Sequence, residues 1–592
     1  MSIRFAVAEG ELSSRTVCLL NYFMSIPMQH TRRSFLTYLG VGGYAAATAQ
    51  LRSSAADFPL GRQRSKPPAW LRPIGPSAAD ELIVPAGFTT DMVIGWGDLL
   101  GSMGPDGGAE RFGFNNDFIA AFPLNALTLG DDARQLVLWV NHEYPNPLFV
   151  SGYSPADYAA GRKKTASQIR AERDSVGGSI VQVKLTDAGW KAVVPAPLNR
   201  RFTASYPEIA LSGPAATRIP IAIGTLANCS GGTTPWKTVL SCEENYPDYN
   251  GNDPSDFFYR WADVPELAID ETQYGWVLEI DPFGELPPVK HTSLGRFKHE
   301  NAAVTVGPSG RLVVYMGDDE VDQHLYKFVS EFPIAKTAAR AEQRQVLESG
   351  TLYAADLAKG AWIPLVWNAE TRERIVSSRA YADARKSDPN FQIASQAELL
   401  IHTRVAAKAL GATPLDRCED CEVHPRDGSL YVALTNNSRH GNLYGHIVRL
   451  CERDDNPEAT QFQYEIFLAG GPQSGLACPD NLAFDREGNL WVVCDQSSDK
   501  MNRGALKPFG NNGLYVVPTI GPSTGDAFQF ASGPNDCELT GPCFSPDGST
   551  LFLSVQHPGE LSRSLQELTS HWPDGGQARP RPCVVAVRGP FA

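Results

Sequence analysis

Nowhere does the sequence hold a run of about 20 uninterrupted apolar residues, which excludes a polytopic membrane protein and any stable membrane insertion through such a segment. It also lacks a collagen-like period, since its 53 Gly and 44 Pro are scattered. No basic stripe alternating with aromatics is present, and 52 basic against 66 acidic residues leave a net charge of -14. Nucleic acid is thereby excluded as a partner. Nor is there a long polar tract: hydrophobic residues make up 42% and charged residues only 20% of the 592 positions, enough apolar material for a large core. Eleven cysteines are too few to staple a chain of this length, so a disulfide scaffold is excluded as well.

At the N-terminus, Arg32-Arg33 precedes a moderately apolar run from Phe35 to Ala49 that closes on Ala47-Thr48-Ala49. Residues 1–49 therefore read as a twin-arginine signal peptide, with Met28 as an alternative start. This implies passage through the twin-arginine translocase and a periplasmic or secreted destination. Residues 50–85, rich in Pro, Ser and Ala, are expected to form an extended arm or linker. In an oxidising compartment Cys478 with Cys494, or Cys537 with Cys543, are plausible pairs, although spacing does not fix connectivity.

A repeat is the most informative feature. A glycine turn leads into a β-rich run that ends in polar groups: Gly310 to Asp318, Gly428 to Asn436, Gly488 to Gln496 and Gly548 to Gln556, with the same spacing each time. Two looser copies end in Asn141-His142-Glu143 and in Cys242-Glu243-Glu244-Asn245. Ahead of four turns lies another strand that begins with acidic or polar groups, at Glu300, Glu419, Asp480-Asn481 and Glu538. Six hairpin units, each too small to bury its own face, predict an all-β fold, a six-bladed β-propeller in one domain over residues 86–592. The segment from about 328 to 414 breaks the repeat. Ser395 to Leu410 has helix-favouring composition ahead of Gly411, so a partly helical insertion, placed as a lid over one end, is expected there.

In such an arrangement strand starts and strand ends from unrelated stretches meet at one mouth. The candidates are Asn115, Asn116, Asp117, Asn141, Glu143, Cys242, Glu243, Glu244, Asn245, Glu300, Asp318, Asp319, Glu419, Asn436, Asn437, Asp480, Asn481 and Asp495. Singly, each reads as a turn or surface residue. Together they would repel one another and resist burial unless cations neutralise them. Carboxylates with Asn carbonyls suit calcium, magnesium or manganese, and a thiolate such as Cys242 suits iron or zinc.

Several blocks now carry a resemblance. Asn115-Asn116-Asp117-Phe118, Asn141-His142-Glu143-Tyr144, Ser241-Cys242-Glu243-Glu244-Asn245, Gly295-Arg296-Phe297-Lys298-His299-Glu300, Tyr315-Met316-Gly317-Asp318-Asp319 and Gln556-His557-Pro558-Gly559-Glu560 are similar to signature blocks of the PhoX family of secreted alkaline phosphatases, in the same order. The resemblance implies a propeller whose channel mouth holds Fe3+ and Ca2+ around a bridging oxo group that attacks phosphomonoesters. It places iron on Cys242, Glu300 and Glu419, and calcium on Glu143, Glu244, Asp480 and Asn481. Arg417 is implied as the phosphate contact and, with Glu419, as catalytic. The family's Arg-Pro-Glu reads Arg417-Cys418-Glu419 here, which frees the backbone before Glu419 and offers Cys418 a partner in Cys421.

Two other functions remain compatible with the residues. A non-catalytic, calcium-stiffened secreted propeller predicts ligand clusters on separate sheet edges. A lactonase-type propeller hydrolase with one divalent ion leaves Cys242 and Arg417 without a role.

Overall fold

The strand Gln135–His142 shows how the chain is built: Leu136, Leu138 and Val140 face one apolar core, while Val137 and Trp139 face another. Side chains alternate sides along a strand, so a strand apolar at every position must lie in a sheet covered on both faces. The same division recurs in Leu490–Cys494 and Thr550–Gln556, whose odd and even residues enter different cores. The computed structural model describes residues 66–128, 132–251 and 257–591, so the expected export signal lies outside the described residues.

The described chain is mostly β-sheet, with six sheets of four to six strands and a small two-stranded one, Leu99–Met103 with Ala109–Arg111, all antiparallel apart from one pair in sheet two. Their first strands are Asn116–Pro123, Asn228–Thr233, Ala303–Val306, Cys418–Val423, Pro479–Phe484 and Glu538–Phe544, each paired with the strand that follows it. Consecutive first strands pack against one another, and that of sheet six packs against that of sheet one. Sheet six is completed from the other end of the chain, where Thr89–Gly95 pairs antiparallel with Cys583–Arg588. Gly310, Gly428, Gly488 and Gly548 occupy the hairpin turns of sheets three to six with φ of +84°, +72°, +82° and +72°, the left-handed region that glycine enters without a Cβ penalty.

The break in the repeat is shorter than its sequence suggests. Leu325–Pro333, Gly350–Asp356 and Ala361–Pro364 are outer strands of sheet three. Apart from the single turn Arg340–Gln343 between two of these strands, the helices run from Ala369–Val376 to Thr403–Leu410, where Gly411 caps the last turn in the left-handed conformation. Leu399, Leu400, Ala406, Ala407 and Leu410 join the core shared by sheets two and three. The segment therefore buttresses that core and contributes no wall to the main cavity, contrary to the lid expected from sequence. The expected arm is docked over its described part: Trp70 stacks on Trp491 with centroids 6.1 Å apart, the Ile74 amide donates to the Gln529 carbonyl at 3.0 Å, and Ile83 bridges to Ser532. Among the described residues every cysteine is unpaired. The pairs read as plausible from spacing, Cys478 with Cys494 and Cys537 with Cys543, do not form, and neither does Cys418 with Cys421.

Candidate metal centre

A local backbone device aims side chains into the centre of the molecule. Asn115, Ala227, Arg417, Cys478 and Asp536 all have positive φ, between 54° and 58°, and each lies two residues before Asp117, Cys229, Glu419, Asp480 or Glu538. For a non-glycine residue this conformation costs roughly 1–2 kcal/mol. The first strands of these five sheets then carry an irregularity just past their starts, between Asn116 and Ile119, Asn228 and Gly231, Cys418 and Cys421, Pro479 and Leu482, and Thr540 and Cys543. A bulge bends a strand and turns its side chains. Five sheets thus present one donor each at equivalent places. The ends of the second strands add Glu143, Glu244, Asp319 and Asp495, and sheet three adds Glu300 ahead of its first strand.

These side chains line one cavity of about 850 Å³. Cys229 Sγ lies 3.3 Å from Asp117 Oδ2 and 3.3 Å from both oxygens of Glu300. Three overlapping sets, Asp117 with Glu143 and Cys229, Cys229 with Glu244 and Glu300, and Glu300 with Asp319 and Glu419, each bring their potential ligand atoms within 4.8 Å of one another. Behind them, Gln556 Nε2 donates to Glu143 Oε2 at 2.6 Å, and Tyr144 Oη and Ser498 Oγ donate to the two oxygens of Glu560 at 2.5 and 2.6 Å. The guanidinium facing the acids is that of Arg417. It donates from Nε and Nη2 to Asp319 at 3.0 and 2.7 Å and from Nη1 to Asp495 Oδ2 at 3.2 Å, and its Nη2 lies 2.7 Å from Glu419 Oε1.

Burial first, and neighbouring carboxylates second, push Asp117, Glu300, Glu419, Asp480 and Glu538 well above the ordinary carboxylate range. Glu244 is raised for the same reasons, and burial carries Glu143 up to about 7. The Cys229 thiol is pushed up by burial and then by Asp117 and Glu300. Against its burial, the Arg417 guanidinium holds Asp495 below its usual value. So many buried acids with one guanidinium among them form a set that cations would relieve, and Asp117 Oδ1 is buried without a hydrogen-bond partner. A cysteine sulfur among carboxylate oxygens is a donor set that would suit a softer cation beside hard ones.

Of the residues expected from sequence, Glu143, Glu244, Glu300, Arg417, Glu419 and Asp480 line this cavity together. Asn481 stands behind it: its amide donates to Glu300 Oε1 at 3.3 Å and to Asp480 Oδ1 at 2.9 Å, and its carbonyl accepts from the Gly541 amide. Cys242 is misplaced by the sequence reading. It is fully buried with Trp236, Leu240, Val277 and Met316 in an apolar core, and its place among the carboxylates is held by Cys229. Glu243 and Asp318 are also turned away, into buried ion pairs with Lys290 and Arg404. Asp117, Asp319 and Asp495, candidates without an assigned ion, reach the cavity, as does Glu538. Cys418 in the family's proline position leaves Arg417 directed at the acids. Sheet five carries a proline, Pro479, at the equivalent place.

The family model for the alkaline phosphatase PhoX matches residues 70–559. The chain belongs to the PhoX family. As a PhoX protein it is a metal-dependent phosphatase. Among solved structures it is similar to the PhoX of Pseudomonas fluorescens in complex with vanadate, a transition state analogue, at 31% identity over 87% of this chain and 97% of that chain, with a TM-score of 0.74. A gluconolactonase from Xanthomonas campestris matches at 11% identity over 86% of this chain and 100% of that one, but its TM-score of 0.28 lends no support to a lactonase reading. No curated protein matches the chain. Gathering of the ligand sets into one cavity also runs against the non-catalytic reading, which required separate clusters. Among the described residues no helix is long and apolar enough to cross a membrane.

Proposed function

We propose that the protein is an exported phosphomonoesterase whose six sheets are the blades of a β-propeller, with iron and calcium held where their first strands converge. The observation that carries this reading is the sharing of Cys229 and Glu300 between adjacent ligand sets. Cys229, Glu300 and Glu419 would hold iron. Glu143, Glu244 and Asp480 would hold calcium, joined by Asp117 and Asp319, while Asn481 orients Glu300 and Asp480. The bound ions supply the positive charge that a phosphoryl anion and the oxygen attacking it need.

Arg417 adds a fixed guanidinium. Its three carboxylate neighbours, Asp319, Asp495 and Glu419, hold its plane across the cavity, so its donors would lie where phosphoryl oxygens acquire charge. Removal of water by the surrounding blades strengthens that contact. A net charge of -14 would repel a phosphate ester, and the metal-loaded centre reverses that field locally. Residues 1–49 would direct the folded protein to the twin-arginine translocase and the periplasm.

Metal analysis of protein purified without chelator, paired with a phosphomonoester assay, tests the reading. Iron and calcium with alkaline phosphatase activity are expected. Fully metallated protein without activity would overturn it.

A further inference from the structure

The cavity is far larger than a phosphoryl group requires, and its two halves differ. The inner wall is the acidic centre. The rest of the wall sets apolar Pro155, Phe257, Phe258 and Leu561 among polar side chains such as Asp499 and Arg563. Phe257 and Phe258 are half-buried neighbours with ring centroids 4.4 Å apart. They continue a line of rings from the interior: Tyr144, whose hydroxyl bonds Glu560, meets Phe258 edge-on at 6.1 Å, and Tyr158 lies 6.4 Å from Phe257.

The backbone under this platform is pinned. Lys164, with no exposed side-chain surface, donates from Nζ to the Phe258 carbonyl at 2.6 Å and to Glu172 Oε2 at 2.7 Å. Trp261 Nε1 donates to the same Glu172 oxygen at 2.9 Å. A fully buried lysine is rarely tolerated without such partners, and here one of them is the main chain of a cavity-lining ring. On the segment lining the same mouth, Arg563 is exposed and has no hydrogen bond or ion pair within the described residues. Flat apolar faces with a free planar cation nearby suit a ligand that is itself flat and polar at its edge.

Resting on the phosphatase reading, we propose that Phe257 and Phe258 form a stacking platform for the leaving group, giving the enzyme a preference for phosphomonoesters that carry a planar heterocycle, nucleoside monophosphates in particular. The phosphoryl group would reach the acidic centre while the base lies against the rings. Hydrolysis itself is unaltered: water oxygen bonds to phosphorus, the P–O bond to the nucleoside breaks, and the leaving oxygen takes a proton.

Adenosine 5′-monophosphate and ribose 5-phosphate share the same leaving oxygen and differ in the base, so their comparison isolates stacking from leaving-group reactivity. Stacking of one base on an aromatic side chain corresponds to about a tenfold change in binding. The metal-loaded enzyme should show a KM about tenfold lower for the nucleotide. In a Phe257→Leu, Phe258→Leu variant, which keeps apolar volume and removes the flat faces, that KM should rise about tenfold while the KM for ribose 5-phosphate moves less than twofold. Equal KM values in the unaltered enzyme, or an equal rise for both substrates in the variant, would overturn the platform and leave the phosphatase reading standing. Hydrolysis of neither ester would take down both.

Discussion

Cys229 Sγ sits 3.3 Å from each carboxylate oxygen of Glu300, although the two residues are 71 positions apart, one in the first strand of sheet two and the other just ahead of the first strand of sheet three. Without a cation between them, burial raises both groups, with neighbouring carboxylates adding to the shift, so each favours its neutral form. Ligation replaces those protons with metal charge, and this pair is where the loss of one donor should be felt most sharply.

Cys229→Ala should therefore lower bound iron and slow phosphomonoester turnover by a hundredfold or more, whereas Cys242→Ala should leave metal content unchanged. The second change removes a small buried apolar group and should cost about 1 kcal/mol of stability. Elemental analysis alongside thermal unfolding separates the two.

Arg417→Ala removes the guanidinium and keeps every ligand. A contact of this kind to a developing anion is worth roughly 2.7–4 kcal/mol, so turnover should fall by about a hundredfold or more at unchanged metal content. Glu419→Gln should instead lose metal as well. Activity assays with metal analysis of both variants check the contrast.

In metal-free protein the raised carboxylates set the pH dependence. Glu143 goes from its ordinary 4.5 up to about 7 on folding, chiefly through burial. Between those values the native state binds more protons than the unfolded state, so stability falls as pH rises through the window. Unfolding temperatures measured in chelator from pH 4.5 to 7 should decline, and added calcium should flatten the slope because cations take over from protons.

Arg404→Ala should act on stability. Arg404 reaches from the helical segment to Asp318, whose side chain is fully buried. Loss of one partner strands that carboxylate, at a cost of about 3 kcal/mol. Denaturant unfolding gives the cost, and kcat per folded molecule should change little because Arg404 does not line the cavity.

The hairpins of sheets three to six were legible because a positive-φ turn calls for glycine and the strand after it is apolar at nearly every position. Glu300, Glu419 and Asp480 were legible as polar groups opening a strand. Cys229 obeys the same rule, since it opens the first strand of sheet two, but its hairpin turns at Thr234–Thr238 without the glycine that marked the others. Cys242, in the block that resembles the family's, lies one strand further on, where alternation turns the thiol into the core. The outer strands of sheet three are hidden for a related reason: residues 334–349 separate Leu325–Pro333 from Gly350–Asp356, so the spacing that exposes a repeat is lost. Asn481 illustrates a different gap. Nothing in its sequence tells an amide that bonds a carboxylate ligand from one that binds the metal.

The pairing of Thr89–Gly95 with Cys583–Arg588 has a consequence for the order of events in the cell. Donors to the cavity run from Asp117 in sheet one to Glu538 in sheet six, and sheet six includes the two segments that lie furthest apart in the chain. A polypeptide still emerging from the ribosome holds an incomplete donor set and an open seam beside it. Full loading of the centre therefore follows synthesis of the last strand. Any ion captured earlier must be held by donors from fewer sheets, and less selectively.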